Sequence, residues 1–507
     1  MVYSISIIIL LTTFQMNKMN RIILSLLFLT SIGLYAQKPA DFLSSDFHKE
    51  RREILREKLP ENSVAVFFSN PIRNRANDVN YKYHQDPNFY YLTGHRAPHA
   101  LLMIFSEEQE INGQNVNELL FVRGRNALME LYDGDRISPE EARKELKISM
   151  VKQTPDFKDF SIDFSQFDHV LFYEFKDDVR NTKEEGDLYD LIDQFKTKVK
   201  HPDKQPPTLH MEDLPNNLNT TLLDKLLAPM RGIKTEEELD LLRKAVKISA
   251  LGQSEVMKAM RPGMSELEVQ GMHEFIYKKY KAEYEGYPSI VGAGHNGCVL
   301  HYIDNYNPSI EDGELILMDL GAEYHGYTAD VTRTIPVNGK FTKEQKQIYN
   351  LVYEAQEAAM AIAKPGVPFK ALYDTTLAVV NRGLLELGIV ENLSEEELIN
   401  PATGRHWYYP HGCCHHIGLD VHDMGTYDVL QEGMVITIEP GIYIPEGSPC
   451  DKKWWNIPVR IEDDYLITSE SIELLSDDAP RKSEEIEVLM QQESAFSQFN
   501  LPTLEEE

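Results

Sequence analysis

Apolar and polar residues alternate at the spacing of an amphipathic helix in two stretches of the chain. In the first, Thr235 and Glu238 form a capping-box pattern, and apolar residues then continue on one face from Leu239 to Val246. A Pro-Gly pair at 262–263 ends this helix, and Ser265 opens the next one. The pattern therefore predicts two helices separated by a short turn.

The same order of signals returns further along the chain. Thr342 and Gln345 repeat the capping pattern, a Pro-Gly pair at 365–366 ends the helix, and a second helical stretch follows. Strand-like runs come after each helix pair. The chain from residue 234 is therefore predicted to be internally duplicated with a pseudo-twofold arrangement, and a site built from both halves would lie between them.

Three short apolar runs have the pattern of buried strands, and each brings a carboxylate with it. Asp319 ends the run in GELILMDL, which follows an Asp-Gly turn signal. Glu439 ends the alternating run in GMVITIEP, where the proline stops strand pairing. In NIPVRIEDD the alternation puts Arg460 and Glu462 on one face. The three strands are therefore predicted to bring acids to one place.

Asp330 and His415 complete a set of four carboxylates and one imidazole. A single acid at a strand end is more often a turn residue or half of an ion pair. Four acids on buried strands, however, would repel one another unless cations lay among them, and two divalent ions balance four carboxylates. The set therefore predicts a paired-metal hydrolytic site. Its oxygen-rich donors favour Mn²⁺, with Co²⁺, Fe²⁺ or Zn²⁺ as alternatives.

The four cysteines of the chain include an adjacent pair, Cys413 and Cys414, beside the candidate ligand His415. On extended backbone, adjacent side chains face opposite ways, so both thiols are not expected to reach one ion. We interpret the pair as small buried residues. Four cysteines are also too few for a disulfide framework in 507 residues.

Composition indicates a soluble globular protein and excludes one class of partner. Apolar residues make up 42% of the chain and charged residues 26%, which allows a large core and two or three domains. The net charge is -30, and the sequence contains no stripe of clustered Lys and Arg residues. A nucleic-acid partner is not expected, because phosphate binding needs a basic face.

The first 36 residues have the pattern of a targeting segment. From Met19, a short basic part precedes the apolar run 22–34, and Ala36 offers a small residue before a cleavage site. We interpret residues 1–36 as a secretory signal, which implies export to the periplasm or beyond. The alternatives are an uncleaved membrane anchor and a cytoplasmic protein. No stable membrane span is expected in the mature chain, because no further long apolar run follows.

Residues 234–490 resemble the pita-bread metallopeptidase family, and above all its aminopeptidase P branch. The motifs that carry the resemblance are GAGHNGCVLHY, LMDLGAEYHGYTADVTRT, HGCCHHIGLDVHD, TIEPGIY and VRIEDD. Upstream, NYKYHQDPNFYYLTG resembles the N-terminal domain of aminopeptidase P and prolidase. The implied fold is α+β or α/β, with a small N-terminal α/β domain at 41–230 and a pita-bread catalytic domain at 234–490. The acidic tail, residues 491–507, is expected to be disordered.

The resemblance also implies roles for individual residues. The implied ligands of two metal ions are Asp319, Asp330, His415, Glu439 and Glu462, with Asp330 and Glu462 bridging. The implied catalytic residues are His301, His411, His422, Glu439 and Arg460. Glu439 would handle the proton of the attacking water, His422 and His301 would stabilise the oxyanion and hold substrate, and His411 would contact the leaving prolyl residue. Arg460 would orient Glu462. The remaining histidines to which we give a core or surface interpretation are His273, His325, His406 and His416.

The activity implied by the resemblance is removal of the N-terminal residue from peptides with proline in second position. An Xaa-Pro dipeptidase is the alternative, and a non-catalytic peptide-binding module on the same fold is a further one. Four mutually repelling acids argue against the binding module, which has no need of them. Proline-containing peptides are the expected partners. The preferred peptide length would depend on the pocket walls and, in a homo-oligomer, on a neighbouring subunit.

Overall fold

The computed structural model describes residues 41–202, 214–391, 408–499 and 501. The predicted signal segment, residues 1–36, lies outside the described residues, and so does His406. From Leu43 onward the chain forms one compact unit. Among the described residues, we find no helix whose length and apolar character would let it cross a membrane.

The N-terminal part of this unit is built on a mixed six-stranded sheet with helices packed against it. The strands of this N-terminal part are β1 (Ser63–Phe68), β2 (Asn74–Ala76), β3 (Val79–Asn80), β4 (Leu101–Ile111), β5 (Gln114–Val122), β6 (Met150–Gln153), β7 (His169–Leu171) and β8 (Leu218–Asn219). Its helices are α1 (Ser45–Lys58), α2 (Pro87–Thr93), α3 (Glu130–Asp133), α4 (Pro139–Glu145), α5 (Leu188–Val199) and α6 (Leu222–Gly232). The sheet order is β6-β5-β4-β1-β7-β8, and β2 and β3 form a separate hairpin. The predicted small α/β domain is confirmed.

The C-terminal part alternates helix pairs with short antiparallel sheets. Its helices are α7 (Glu236–Ala259), α8 (Glu266–Lys279), α9 (Lys343–Ile362), α10 (Phe369–Glu386) and α11 (Ser483–Leu489). Its strands are β9 (Tyr284–Glu285), β10 (Ile290–Ala293), β11 (Leu315–Asp319), β12 (Ala322–Tyr324), β13 (Tyr327–Thr328), β14 (Thr332–Pro336), β15 (Val435–Ile438), β16 (Gly441–Ile444), β17 (Ile457–Arg460), β18 (Asp463–Ile467) and β19 (Ile472–Leu474). The sheets are β10-β11-β14, β13-β12-β9, β15-β18-β19 and β16-β17.

The predicted duplication is confirmed by the order of these elements. Both α7 and α9 begin with a complete capping box, formed by Thr235 with Glu238 and by Thr342 with Gln345. In each box the side chains satisfy backbone N–H groups that the first helical turn leaves without partners. The pair α7 and α8 precedes the sheet β10-β11-β14, and the pair α9 and α10 precedes the sheet β15-β18-β19. The domain boundaries themselves stay predictions.

Strand register brings the acids to corresponding ends of the two sheets. Asp319, the last residue of β11, lies opposite Thr332 of β14. Ile438, the last residue of β15, lies opposite Asp463 of β18. Glu462 lies between β17 and β18, not within one continuous strand, because the chain changes sheets there. The acids therefore stand at strand ends, where backbone pairing stops and side chains can converge.

The acidic tail is ordered over its first part, contrary to expectation. Residues 491–499 include a short 3-10 turn, and the Ser494 hydroxyl donates to the carbonyl oxygen of Glu255 at 3.0 Å. Phe496 and Phe499 pack edge-on against Phe275. The prediction of disorder was wrong here, because the two aromatic side chains supply apolar contacts that the acidic composition conceals. The end of the tail, 502–507, lies outside the described residues.

Candidate metal centre

One imidazole nitrogen and three carboxylates converge in the C-terminal part. The Nε2 atom of His415 lies 3.5 Å from Asp330 Oδ2, 3.6 Å from Glu439 Oε1 and 3.8 Å from Glu462 Oε1. Ligand atoms that share an ion at bond lengths of about 2.1 Å lie roughly 3 to 3.5 Å apart. The observed separations are close to that spacing. Asp330, His415 and Glu462 each offer a ligand atom within 4.8 Å of the other two, so these three side chains fit a common cation, and Glu439 lies beside them.

The ring of His415 is oriented for metal binding. Its Nδ1 atom donates a hydrogen bond to the carbonyl oxygen of His416 at 3.0 Å. In the neutral ring, this bond leaves the lone pair on Nε2, which faces the acids, and that is the tautomer that a metal ligand needs. The backbone around it pairs with β15: the N–H of Thr437 donates to the carbonyl of His415 at 2.9 Å. Strand pairing thus places the imidazole beside the acids.

Asp319 joins the cluster through Tyr287, a residue that the sequence did not single out. The Tyr287 hydroxyl lies 2.6 Å from Oδ1 of Asp319 and 2.6 Å from Oδ1 of Asp330. A hydroxyl carries one proton, so it donates to one of these carboxylates at a time. Tyr287 lies in a tyrosine-rich stretch without a ligand pattern, and no spacing rule connects it to either aspartate. Only the folded arrangement reveals its role.

Arg460 contacts Asp319 and Tyr443 more closely than Glu462, the residue that it was expected to orient. Its guanidinium contacts Asp319 through Nη2 and donates to the Tyr443 hydroxyl through Nη1 at 2.8 Å. The Glu462 carboxylate lies 3.8 Å from Nε, beyond hydrogen-bond distance. Glu462 is instead held by the hydroxyl of Thr332, which donates to it at 2.7 Å. The Nε atom of Arg460 donates to that same hydroxyl at 3.3 Å and forms an ion pair with Glu462 at 3.8 Å, so the orienting role of Arg460 toward Glu462 stays a prediction.

The buried acids lack enough cations from the protein itself. Burial raises the pKa of Asp330, and the negative charge of Asp319 raises it further. Burial and the charge of Glu462 raise the pKa of Glu439 in the same way, and burial and the charge of Asp330 raise that of Glu462. Buried carboxylates become stable as anions only beside positive charge. The donor set and its unbalanced charge therefore fit divalent ions.

Two buried glutamines, one in each half, hold the strand ends that carry the acids. The Nε2 atom of Gln253 in α7 donates to two carbonyl oxygens directly beside the aspartates, at 3.0 and 2.7 Å. The Nε2 atom of Gln356 in α9 donates to two carbonyl oxygens directly before the glutamates, at 3.0 and 3.3 Å. The acceptors are Met318, Val331, Ile438 and Ile461. The sequence contains both glutamines on repeated helices, but their shared role depends on tertiary packing.

His422 lies against the ligand candidate His415. The two ring centroids are 4.3 Å apart, and the rings meet edge to face. Burial lowers the pKa of His422, and the neighbouring imidazoles of His415 and His301 lower it further. His301 itself lies on an exposed segment. His422 is therefore a neutral imidazole at the edge of the cluster, and His301 is close enough to influence it.

His411 ends a chain of hydrogen bonds that begins at Arg460. Arg460 donates to the Tyr443 hydroxyl, and that hydroxyl lies 2.8 Å from Nε2 of His411. Nδ1 of His411 donates to the carbonyl of Gly412 at 2.6 Å. Burial lowers the pKa of His411 to about 4, and the charge of Arg460 adds to that effect. Both ring nitrogens are thus bonded within the protein, and the ring is neutral.

The adjacent cysteines face the same way, contrary to expectation. Their sulfur atoms lie 2.8 Å apart, because the backbone at residues 411–414 bends instead of running extended. Burial raises the pKa of the Cys414 thiol, and its neighbour Cys413 raises it further. A thiol that stays protonated is a poor metal ligand. All four cysteines are free, so the interpretation as small residues without a disulfide agrees with the structure.

Of the four histidines to which we gave a core or surface interpretation, three lie within the described residues. His325 pairs with Glu283 at 2.6 Å, and His416 bonds to the carbonyl of Thr426 at 3.0 Å. His273 is fully buried, yet among the described residues neither of its ring nitrogens has a hydrogen-bond partner. The interpretation of His273 as a core residue therefore agrees with the structure.

Models of two protein families match the chain in the order of its two parts. The model of the aminopeptidase P N-terminal domain matches residues 48–170. The model of metallopeptidase family M24 matches residues 240–469, which include every ligand candidate. The chain is 33% identical to the Xaa-Pro aminopeptidase of Escherichia coli (strain K12), over 88% of this chain and 98% of that protein. It is also 33% identical to the human Xaa-Pro aminopeptidase 3, over 85% of this chain and 81% of that protein.

Solved structures show the same likeness. The structure of aminopeptidase P from E. coli with the inhibitor Pro-Leu superimposes with a TM-score of 0.77 at 31% sequence identity. The match covers 89% of this chain and 98% of that one. The aminopeptidase PepP of Pseudomonas aeruginosa gives a TM-score of 0.76 at 33% identity, over 89% of this chain and 98% of that one. The likeness therefore extends over both parts of the molecule.

Proposed function

Because the chain belongs to metallopeptidase family M24, in its aminopeptidase P branch, we propose that it is an Xaa-Pro aminopeptidase. It would release the N-terminal residue from peptides whose second residue is proline. The observation that carries the proposal is the convergence of His415 Nε2 on three carboxylates at 3.5 to 3.8 Å. Such a set of donors suits a metal-dependent hydrolase.

The proposed centre holds two divalent ions. The residues that would hold these ions are Asp319, Asp330, His415, Glu439 and Glu462. Two bound ions would supply a nucleophilic water at neutral pH and polarise the scissile carbonyl. We propose Mn²⁺ as the native metal, because the donors are carboxylate oxygens with one imidazole and no thiolate.

The proposed roles of the surrounding residues follow from their positions. Glu439 would take the proton of the attacking water, since its side chain is 18% exposed while that of Glu462 is 2% exposed. His422, neutral and next to His415, would donate a hydrogen bond to the developing oxyanion. His411 would present its ring to the prolyl residue, because its nitrogens are already bonded. The exposed His301 would hold the substrate.

Arg460 would act on this chemistry by fixing other groups. It binds Asp319 directly and reaches His411 through Tyr443. These contacts would keep one ligand and one substrate-facing ring in fixed positions relative to each other. Arg460 would therefore be a positioning residue.

Export of the protein is also a proposal. The support for it is the basic and apolar pattern of residues 19–36, with a cleavage site after Ala36. N-terminal sequencing of the protein from the producing cells would then begin at Gln37. A chain that retains Met1 or Met19 would instead be anchored or cytoplasmic. A homo-oligomer is a further proposal, which light scattering of the purified protein tests.

The activity is tested by comparing two substrates. Metal-free enzyme is reconstituted with Mn²⁺ and offered an Xaa-Pro dipeptide beside a longer Xaa-Pro-Yaa peptide. Release of the first residue from the longer peptide is the expected result. Cleavage of the dipeptide alone would make the protein an Xaa-Pro dipeptidase, and cleavage of neither would favour a binding module. Zn²⁺ and Co²⁺ reconstitution in parallel tests the choice of metal.

A further inference from the structure

A buried ion-pair network holds the loop that carries His422. We call residues 415–425 the histidine loop. Arg231, at the end of α6, is 1% exposed, and its Nη2 contacts Asp423 and lies 2.8 Å from Asp420 Oδ2. The Nζ atom of Lys234 lies 2.7 Å from the other Asp423 oxygen. Asp423 directly follows His422, so the position of its carboxylate constrains the histidine.

The same network begins in the N-terminal part of the molecule. The side-chain oxygen of Asn88, in α2, accepts a hydrogen bond from Nη1 of Arg231 at 2.7 Å. The amide group of Asn88 donates to the hydroxyl of Tyr173 at 3.2 Å. A continuous series of contacts therefore runs from α2 through Arg231 to Asp423. This series connects the N-terminal part to the residue beside His422.

Close packing leaves the histidine loop little freedom around this network. A side chain at Gly418 would overlap the Asp423 carboxylate, and one at Gly425 would overlap the ring of His416. A Cβ atom at Gly232 would lie 3.2 Å from the Cα atom of Gly425. The loop and the end of α6 thus touch backbone to backbone. A shift of Arg231 would therefore be transmitted to the loop, because packed interiors do not absorb small displacements.

The positive and negative charges in the network balance, so the network holds the histidine loop firmly against the end of α6. Two cations, Arg231 and Lys234, face two carboxylates, Asp423 and Asp420. Although burial raises the pKa of Asp423, the charges of Arg231 and Lys234 outweigh that effect and lower it. Asp423 therefore remains an anion that both cations hold. A hydrogen bond from a buried cation to a buried anion keeps both partners in defined positions.

We propose that Asn88 and Arg231 are positioning residues for catalysis. They hold Asp423 and thereby set the place of the His422 imidazole beside His415. The N-terminal part is then a component of the catalytic apparatus and not only a neighbouring fold. The proposal rests on the proposed function, since it assigns to these residues an effect on a step in which His422 acts. A displacement of about 1 Å at a reacting group costs up to roughly a hundredfold in rate.

The test is a double-mutant cycle between Asn88 and His422. Asn88→Ala removes the acceptor for Nη1 of Arg231, and we expect kcat to fall about tenfold with KM and metal content unchanged. In a His422→Ala background the same substitution is expected to cause no further loss, because the group that Asn88 positions is already gone. Losses that multiply in the double variant would overturn the proposal, and so would a wild-type kcat in Asn88→Ala.

A matched control separates positioning from general stability. Asn217, in the same N-terminal part, donates to the carbonyls of Phe164 and Phe167 at 3.1 and 3.2 Å and does not touch the histidine loop. Asn217→Ala should lower the melting temperature and leave kcat unchanged. If Asn88→Ala does not fold, Arg231→Lys serves in its place, since it keeps the charge but loses the fork that joins Asn88 to Asp423.

Hydrogen exchange gives a readout that does not depend on activity. In the metal-loaded protein, we expect the amides of the histidine loop to exchange faster in Asn88→Ala than in Asn217→Ala. Equal exchange in the two variants would contradict the proposed attachment. If the wild-type protein cleaved no Xaa-Pro peptide, the proposed function would fail, while the exchange comparison would still decide whether Asn88 holds the loop.

Discussion

The histidine loop joins two groups of buried carboxylates whose charges are handled in opposite ways. At its His415 end lie Asp330, Glu439 and Glu462, whose pKa values burial and mutual repulsion raise. At its other end lies Asp423, whose pKa is lowered although burial acts against it. The difference is the presence of protein cations, because Arg231 and Lys234 both bind Asp423.

This contrast explains how similar side chains serve different purposes. A buried carboxylate costs several kcal/mol in desolvation, and an opposite charge must offset that cost. Asp423 finds the opposite charge within the chain and becomes part of the scaffold. The acids around His415 find too little of it, which is tolerable only if external cations complete the site. Buried negative charge that no protein cation offsets therefore distinguishes a metal centre from an ion-pair network.

The largest expected effect comes from Asp330→Asn, which removes one proposed metal ligand. We expect loss of bound metal and a fall in activity of roughly a thousandfold or more, because a metal ion contributes several kcal/mol to transition-state stabilisation. Metal content by mass spectrometry and turnover of an Xaa-Pro-Yaa peptide measure this. In chelator, the variant should also unfold at higher denaturant than wild type, since one repelling charge is gone. Normal metal content and turnover would contradict the ligand assignment.

Asp423→Asn tests the other side of the contrast. It removes the one carboxylate that both Arg231 and Lys234 bind and leaves Arg231 with only the partly exposed Asp420, so we expect the free energy of unfolding to fall by about 3 kcal/mol. Urea denaturation measures this, with and without chelator. The comparison variant is Asp420→Asn, whose side chain is 45% exposed and whose loss should cost much less. Equal effects of the two substitutions would mean that the network does not depend on Asp423.

His422→Ala separates metal binding from catalysis. We expect the variant to retain its metal and to lose roughly a hundredfold in kcat, which is the scale of an acid-base or oxyanion group. Metal analysis and steady-state kinetics on the same preparation provide the two measurements. An unchanged kcat would remove His422 from the chemistry, and loss of metal would assign it to the ligand set instead.

Tyr287→Phe has a smaller expected effect on the metal centre. It removes the hydroxyl that lies 2.6 Å from both Asp319 and Asp330. Groups that orient metal ligands contribute about tenfold or more to metal affinity, so we expect the Kd for Mn²⁺ to rise about tenfold. Calorimetric titration of the metal-free protein measures it. The same titration of Tyr443→Phe, which alters the His411 side, should change the Kd less.

The smallest expected effect is a difference in pH dependence between the metal-free and metal-loaded proteins. Folding raises the pKa of Asp330, Glu439 and Glu462, so the metal-free folded state binds more protons than the unfolded state. Its stability is therefore greatest in mild acid and falls as pH rises through the raised pKa values. Asp423 contributes the opposite dependence, because its lowered pKa gives stability that is lost only as pH falls below the unfolded value.

Denaturant unfolding between about pH 5 and about pH 8, in chelator and in Mn²⁺, distinguishes these contributions. We expect the metal-free protein to lose stability toward the higher pH and the metal-loaded protein to keep it. Identical pH profiles in the two states would contradict the idea that the raised pKa values come from uncompensated negative charge among the acids of the metal-free centre.

Much of the candidate site was predictable from local patterns in the sequence. Asp319, Glu439 and His415 stand where apolar runs end or where a histidine-rich motif occurs, and the structure brings them together with Asp330 and Glu462. The capping residues Thr235 and Thr342 predicted where the two long helices begin. Such signals act within a few residues, so no tertiary information is needed to find them.

Several side-chain pairings escaped prediction because the partners are distant in the chain. Tyr287 meets two aspartates beyond it, and Arg460 binds Asp319 across the two halves. Asn88 reaches Arg231 from a different part of the molecule. None of these pairings follows from spacing, since each depends on how separate elements pack. The relative orientation of the Cys413 and Cys414 thiols was mispredicted for a related reason, because a local bend replaced the extended backbone.

The sequence by itself determined the elements of the duplicated domain and the identity of the acids and the imidazole. It did so because helix caps, strand alternation and motif spacing are short-range properties of the chain. Only the tertiary structure decided which carboxylates are balanced by protein cations and which are left for metal ions. That distinction depends on the charges within a few ångströms of each buried group, and those charges come from residues far apart in the chain.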